Sequence, residues 1–188
     1  LVVKGECSRG PVSAGLVVVE IVDEDATSAT ANAAEAGAVS RLVEDMIESK
    51  SFRQKKLTQQ DFLVVSPYNN HVRAIEKALT RRDLGEVRVG TVDRFQGKQA
   101  PVVIASMCVS SAAEDKYDDE EDSTSIRGLS FVLDKRRLNV AISRAQALAV
   151  VVASPYVADS SYTTLETMRR VALFARLKEF ATQTISLS

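Results

Sequence analysis

Three stretches of this 188-residue chain concentrate side chains able to bind phosphate or ribose. Thr91-Val92-Asp93-Arg94-Phe95-Gln96-Gly97-Lys98-Gln99 holds a hydroxyl, a carboxylate, a guanidinium, an amide and a glycine within its first seven residues. Gly97 lets the backbone approach a ligand closely, and Thr91 can donate to a phosphate; a plain turn completed by Gly97 would look the same. In Arg136-Arg137-Leu138-Asn139-Val140-Ala141-Ile142-Ser143-Arg144, a continuous helix would point Arg137 and Arg144 the same way, about 10 Å apart along its axis. Two guanidiniums on one edge suit a polyphosphate or a partner's carboxylates. Alternatively, Arg144 only complements the helix dipole, worth about 0.3–1 kcal/mol. The third stretch, Ser66-Pro67-Tyr68-Asn69-Asn70-His71, follows an apolar run.

The rest of the composition removes most other chemistry. A single histidine, His71, excludes His-pair zinc sites and leaves one residue for any Ser/His or Cys/His machinery. Cys7 and Cys108 are far apart, so no disulfide framework is expected and a reducing, cytoplasmic setting is the default. There is no G-x-x-x-x-G-K-[ST] loop and no apolar strand ending in an acid pair suited to Mg²⁺, so a domain acting on ATP would supply only part of the site. The net charge of −1 excludes a generic basic coat protein, and no apolar run approaches the roughly 20 residues that cross a bilayer, so no membrane partner is expected. Seven of the acids and one base fall in Glu114–Asp122, within an acidic insertion spanning about 112–126. Like charges with nothing to bury read as a surface insertion, and a sharper reading has it shield a basic groove from nucleic acid. The remaining 23 bases and 18 acids leave the body at +5.

Five apolar runs carry strand character: Leu16–Val22, Phe62–Ser66, Val87–Gly90, Val102–Met107 and Ala147–Ala153. Uninterrupted runs such as Leu63-Val64-Val65 are typical of strands buried on both faces of a parallel sheet. Helical stripes fall between them, at Val39/Leu42/Val43/Met46/Ile47, at Val72/Ile75/Leu79 and at Leu138/Ala141/Ile142/Ala145. A last helix, about 164–181, places Leu165, Met168, Ala172 and Ala175 on one side, with Arg169, Arg170, Arg176 and Lys178 as its wet face. Alternating strands and helices predict one doubly wound α/β domain over 1–188, with a mostly parallel sheet of about five or more strands and helices on both faces. Ligands of such sheets bind past the carboxyl ends of strands, where the Ser66 and Thr91 stretches lie, while the Arg136 stretch precedes the final strand. His71 reads as a surface helix residue, Tyr68 as a ring that packs more readily than it stacks, and Arg94 as either solvated or in contact with a nucleic-acid strand. The N-terminus lacks an initiator Met and a signal-peptide pattern, which reads as a piece of a longer protein.

These residues resemble the second RecA-like lobe of superfamily 1 helicases. The subgroup is that of the nonsense-mediated-decay helicase, the replication helicase-nucleases and bacterial helicase–RecB-like nuclease fusions. Thr91–Gly97 matches motif V, Arg136–Ala145 matches motif VI, Ser66-Pro67-Tyr68-Asn69 matches motif IV, and Glu35-Ala36 resembles the pair in the lobe's first helix. The resemblance runs from about Leu16 to Ala153 and implies a three-layer RecA-like fold and a shared site for ATP with Mg²⁺. The P-loop and metal ligands of that site belong to a first lobe of the same protein. It implies that Arg144 is the arginine finger, with Arg137 as a second phosphate or interlobe contact. Gln96, Gly97 and Gln99 would face the nucleotide, and Ser66, Tyr68, Asn69, Thr91 and Arg94 would lie along single-stranded DNA or RNA.

The chain departs from the family's pattern in several places. Lys98-Gln99 stands where Gln-Glu or Arg-Glu is common, His71 where Gln is frequent and Gln146 where Arg is usual, while Asn32-Ala33-Ala34-Glu35 reads as a helix cap without the usual preceding base. The expectation is the C-terminal motor lobe of an ATP-dependent helicase or translocase in DNA repair or RNA metabolism, nearly inactive alone. The alternative is a non-catalytic helicase-like nucleic-acid or protein-binding module.

Overall fold

A computed structural model describes residues 14–21, 31–49, 51–95, 97–108, 135–155, 165–181 and 183–187. The acidic insertion at 112–126 and Gln96 fall outside these residues. In chain order the elements are β1 (Gly15–Ile21), α1 (Ala33–Ser49), β2 (Ser51–Phe52), β3 (Lys55–Lys56), β4 (Phe62–Val65), α2 (Asn69–Thr80), β5 (Arg88–Gly90), β6 (Ala100–Ser106), α3 (Lys135–Ile142), β7 (Ala145–Ala153), α4 (Leu165–Phe180) and β8 (Gln183–Leu187). Single 3-10 turns, Gln59–Asp61 and Asp93–Phe95, precede β4 and follow β5.

Six strands form one sheet in the order β5-β4-β6-β7-β1-β8, and every pairing in it is parallel. The apolar runs are explained by burial on both faces, with consecutive residues alternating between two cores. Val17, Val19, Phe62, Val64, Val102, Ile104, Val150 and Val152 pack under α1 and α2. Val18, Leu63, Val65, Val103, Ala105 and Val151 pack under α3 and α4 with Leu138, Ala141 and Phe174. The result is the three-layer α/β architecture expected of a RecA-like lobe.

Local chemistry sets the helix ends. Asn32 Oδ1 accepts from Glu35 N–H at 2.7 Å and caps α1. At the other end of α2, Asp83 adopts φ +58, so that Leu84 N–H reaches Leu79 C=O (3.0 Å) and Asp83 N–H reaches Thr80 C=O (3.2 Å). This Schellman arrangement satisfies the last carbonyls and lays buried Leu84 beside Leu79.

Three features differ from the sequence expectation. Strand β8 and the short β2–β3 hairpin were not anticipated, because both are short and mixed in polarity. Helix α3 ends at Ile142, so Arg144 lies in the turn before β7 rather than on a helix shared with Arg137. The orientation of α4 is corrected: Met168 is 53% exposed and Ala172 and Ala175 are exposed, whereas Phe174 is 0% exposed in the core. One large aromatic ring outweighs a stripe of alanines in choosing the buried side. Lys178, expected on the wet face, is half-buried and donates to the buried Glu20 carboxylate of β1 at 2.7 Å, while Arg176 is exposed as expected. Phe174→Ala is expected to cost about 3–5 kcal/mol in urea unfolding and Met168→Ala less than about 0.5 kcal/mol; the reverse order would contradict this orientation.

Candidate functional site

The parallel sheet has a carboxyl edge, where Val65, Gly90, Ser106 and Ala153 end their strands, and an amino edge, where Ala100 and Ala145 begin theirs. The chain from Thr91 to Gln99 leaves β5 at the carboxyl edge and enters β6 at the amino edge, so it crosses the full height of the sheet. Phe95 anchors it in the core beneath α3. It passes tightly over Gly90, where an added Cβ would lie 2.8 Å from the Phe95 ring and 2.9 Å from Arg94 Cδ. The crossing turns at Gly97, φ +79, a conformation that favours glycine. Helix α3 makes the same journey, from Lys135 at the carboxyl edge to Arg144 at the amino edge. The two crossings are joined at both ends. An Arg137 guanidinium nitrogen lies 3.4 Å from Asp93 Oδ2, and the Arg144 guanidinium donates to Lys98 C=O at 3.1 Å. Arg144 C=O in turn accepts from Ala100 N–H at 3.1 Å.

This geometry sorts the site residues into two groups. At the carboxyl edge, Ser66, Pro67, Thr91, Val92, Met107 and Arg137 line a cavity of about 30 Å³, so the three polar stretches meet there. Ser66 N–H donates to Gly90 C=O at 3.1 Å, which binds the first stretch to the second. Its hydroxyl is buried, with the residue 1% exposed, and has no partner among the described residues. Thr91 is half-buried, and Asn69 and Arg94 are exposed. Tyr68 packs against the core beneath α3, and burial, reinforced by the neighbouring Cys108, pushes its phenol up to about 12. At the amino edge lie Gly97, Gln99 and Arg144. The first two are exposed, whereas Arg144 is 8% exposed and its Nε is buried without a partner among the described residues. Arg137 and Arg144 therefore occupy opposite edges rather than one strip.

His71 is not on the surface, which corrects the sequence expectation; it is 0% exposed. Asn32 N–H donates to His71 Nδ1 at 3.2 Å, which leaves Nε2 to carry the proton and donate to Ser106 Oγ at 2.8 Å. Ser106 Oγ–H donates to Glu35 Oε1 at 2.5 Å, and Cys108 N–H donates to the same oxygen at 2.9 Å. The chain of bonds ties the start of α1, the start of α2 and the carboxyl end of β6 into one buried unit. Glu35 Oε2 is the only atom of this unit without a partner among the described residues. Cys108 is a free, buried thiol at φ +54, and burial together with the Glu35 carboxylate holds it strongly protonated. Ser106 and the partnership of Asn32 with His71 were missed in the sequence. The one available signal was a polar residue closing the apolar run Val102–Ala105.

The chain matches the AAA domain family AAA_12 over residues 15–156. It belongs to the superfamily 1 helicases, as a C-terminal RecA-like region. Within this family it is similar to the human RNA helicase Mov10l1, 34% identical over 102 residues that cover 54% of the chain and 8% of that protein. It is also similar to a probable helicase with zinc finger domain from Danio rerio, 33% identical over 144 residues, 72% of the chain and 8% of the relative. The DNA polymerase alpha-associated DNA helicase A of Schizosaccharomyces pombe is 35% identical over 88 residues, 47% of the chain and 11% of the relative. The chain thus spans about a tenth of the length of these helicases. All three polar stretches lie within the matched residues. The Ser66 stretch supplies the carboxyl edge, while the Thr91 and Arg136 stretches run from one edge to the other.

The buried unit makes a direct prediction. His71→Leu strands the Asn32 amide and removes a donor from Ser106, and is expected to destabilise the lobe by about 2–4 kcal/mol. His71→Gln, whose amide can accept from Asn32 and donate to Ser106, is expected to cost under about 1 kcal/mol. Equal losses for the two variants in urea denaturation would show that shape, not hydrogen bonding, is what His71 contributes.

Proposed function

We propose that this helicase-family region works as the C-terminal motor lobe of an ATP-dependent helicase or translocase on single-stranded nucleic acid. The observation that carries the reading is the pair of crossings, motif V and α3, each with one end at the carboxyl edge and the other at the amino edge. A motor must make nucleotide state felt at the nucleic acid, and two side-by-side connections between separate edges are a physical route for that.

In this reading the amino edge meets ATP held by a first lobe of the same protein. Arg144 is the arginine finger, and Gly97 and Gln99 approach the nucleotide alongside it. The residues fit the group: Arg144 presents a buried guanidinium whose Nε lacks a partner among the described residues, a donor that an anion can satisfy. ATP with Mg²⁺ supplies the phosphoryl group and its metal, whereas this chain supplies positive charge toward the γ-phosphate. Gln99, being neutral, can hydrogen-bond a ribose hydroxyl but adds no charge. At the carboxyl edge, Thr91, Asn69 and Arg94 lie where backbone phosphates pass. Ser66 contributes a buried hydroxyl beside them, and Tyr68 packs against the core beneath α3 rather than stacking on a base. Arg137 sits with this carboxyl-edge group, held by Asp93. The relatives include an RNA helicase and a DNA helicase, so both nucleic acids belong in the test.

The test is steady-state ATP hydrolysis by the full-length protein, with and without single-stranded DNA or RNA. Arg144→Ala is expected to lower strand-stimulated hydrolysis by two decades or more, in line with the 10³–10⁵ range of arginine fingers. Hydrolysis that is absent, or indifferent to Arg144, would leave a nucleic-acid-binding module without motor function.

A further inference from the structure

The connection between α1 and β4 holds a feature that the motifs do not use. Strands β2 and β3 pair antiparallel, Ser51 with Lys56 and Phe52 with Lys55, around a two-residue turn. Both turn residues are left-handed, Arg53 at φ +48 and Gln54 at φ +67. This is the geometry that selects Asn-Gly, because glycine and asparagine tolerate it. Arginine and glutamine do not, so the chain holds two strained residues where an unstrained pair would close the same turn. Strain of this kind clusters at functional positions, which directs attention to these side chains.

Those side chains form an exposed basic tip. Arg53, Lys55 and Lys56 are exposed, and the chain from Ser49 to Gln60 contains four bases and no acid. The next acid, Asp61, is turned onto Thr58, accepting from its amide at 2.7 Å and its hydroxyl at 2.9 Å. The Arg53 guanidinium lies over the half-buried Phe52 ring, 5.1 Å from its centroid, which holds the charge in place and covers the apolar face. With that ring covered, the tip offers no apolar anchor for an acidic peptide or a lipid surface. Charge fixed on an aromatic platform suits phosphates instead. The tip is also remote from the motif cavity. Helix α1 starts beside Cys108 at the carboxyl edge and runs 17 residues, about 25 Å, before the hairpin begins.

We propose that the β2–β3 hairpin is a second nucleic-acid contact, in which Arg53, Lys55 and Lys56 engage backbone phosphates of a segment beyond the one held at motifs IV and V. The proposal rests on the nucleic-acid-binding part of the functional reading and not on its ATPase part. The test measures binding of a fluorescent single strand of about 30 nucleotides to the full-length protein, between about 50 and 200 mM salt. Lys55→Gln with Lys56→Gln is expected to weaken binding at least fivefold at the low-salt end. It should also flatten the dependence of log affinity on log salt by about one for each phosphate that is no longer neutralised. Arg53→Asn with Gln54→Gly relieves the turn, so it is expected to raise the melting temperature while weakening binding, a combination that a purely structural turn would not give. Thr91→Ala, at the motif cavity, separates the two claims. If Thr91→Ala weakens binding and both hairpin variants bind like wild type with an unchanged salt slope, the hairpin is only a turn and the proposal is overturned. If the wild-type protein binds no strand at all, the functional reading falls and the hairpin proposal with it.

Discussion

Because all six strands of the sheet run parallel, a connection leaving one strand's carboxyl end must travel the height of the sheet before it can enter the next. Motif V and α3 make that journey side by side on one face, tied by Arg137 to Asp93 at one end and by Arg144 to Lys98 at the other. The arrangement of everything else follows from this. The carboxyl edge gathers the ends of β4, β5 and β6 around one small cavity, and the amino edge gathers Gly97, Gln99 and Arg144. The Arg144 tie is to a backbone carbonyl, whereas the Arg137 tie joins two side chains. The Asp93–Arg137 pair is largely exposed, where ion pairs contribute about 0–1 kcal/mol. Their importance lies in register: each fixes one end of two elements whose middles are already packed through Phe95, Leu138 and Ala141.

The buried unit on the other face plays a complementary part. Asn32, Glu35, His71 and Ser106 fasten the starts of α1 and α2 to the end of β6, so the motif IV segment Ser66–Tyr68 is held between a packed sheet and a hydrogen-bonded anchor. Histidine and glutamine are interchangeable in kind here, because both can accept with one side-chain atom and donate with another. The anchor therefore depends on a donor–acceptor pair at a set spacing rather than on imidazole chemistry.

Much of this was legible in the sequence. Unbroken apolar runs announced strands buried on both faces, and the order of motifs V and VI announced the lobe. The periodicity of Val39 to Ile47 and of Val72 to Leu79 gave the buried sides of α1 and α2 correctly. Other features had no local signal. The fit over Gly90 and the acceptance of Arg144 by a backbone carbonyl depend on tertiary approach. The burial of His71 depends on three segments meeting, and a lone polar residue on an amphipathic helix looks the same whether it faces water or an anchor. Helix α4 misled for a different reason: its alanines are apolar enough to suggest a core face but too small to win it against Phe174. The two edges could not be told apart in the sequence either, since seven residues separate Arg137 from Arg144 whether or not the helix continues between them.

The separation of the edges is the claim on which the account turns, and it is tested by the coupling between ligands. The measurement is the affinity of the full-length protein for a single strand, with and without a non-hydrolysable ATP analogue, for wild type and Arg144→Ala. Wild type should shift its strand affinity on adding the analogue, within the roughly 5–150-fold range usual for coupled sites. Arg144→Ala should bind the strand as wild type does in the absence of nucleotide and lose most of that shift. Strand binding already weakened by Arg144→Ala without nucleotide, or a shift unchanged by it, would contradict the assignment of Arg144 to a nucleotide site distinct from the strand site at the carboxyl edge.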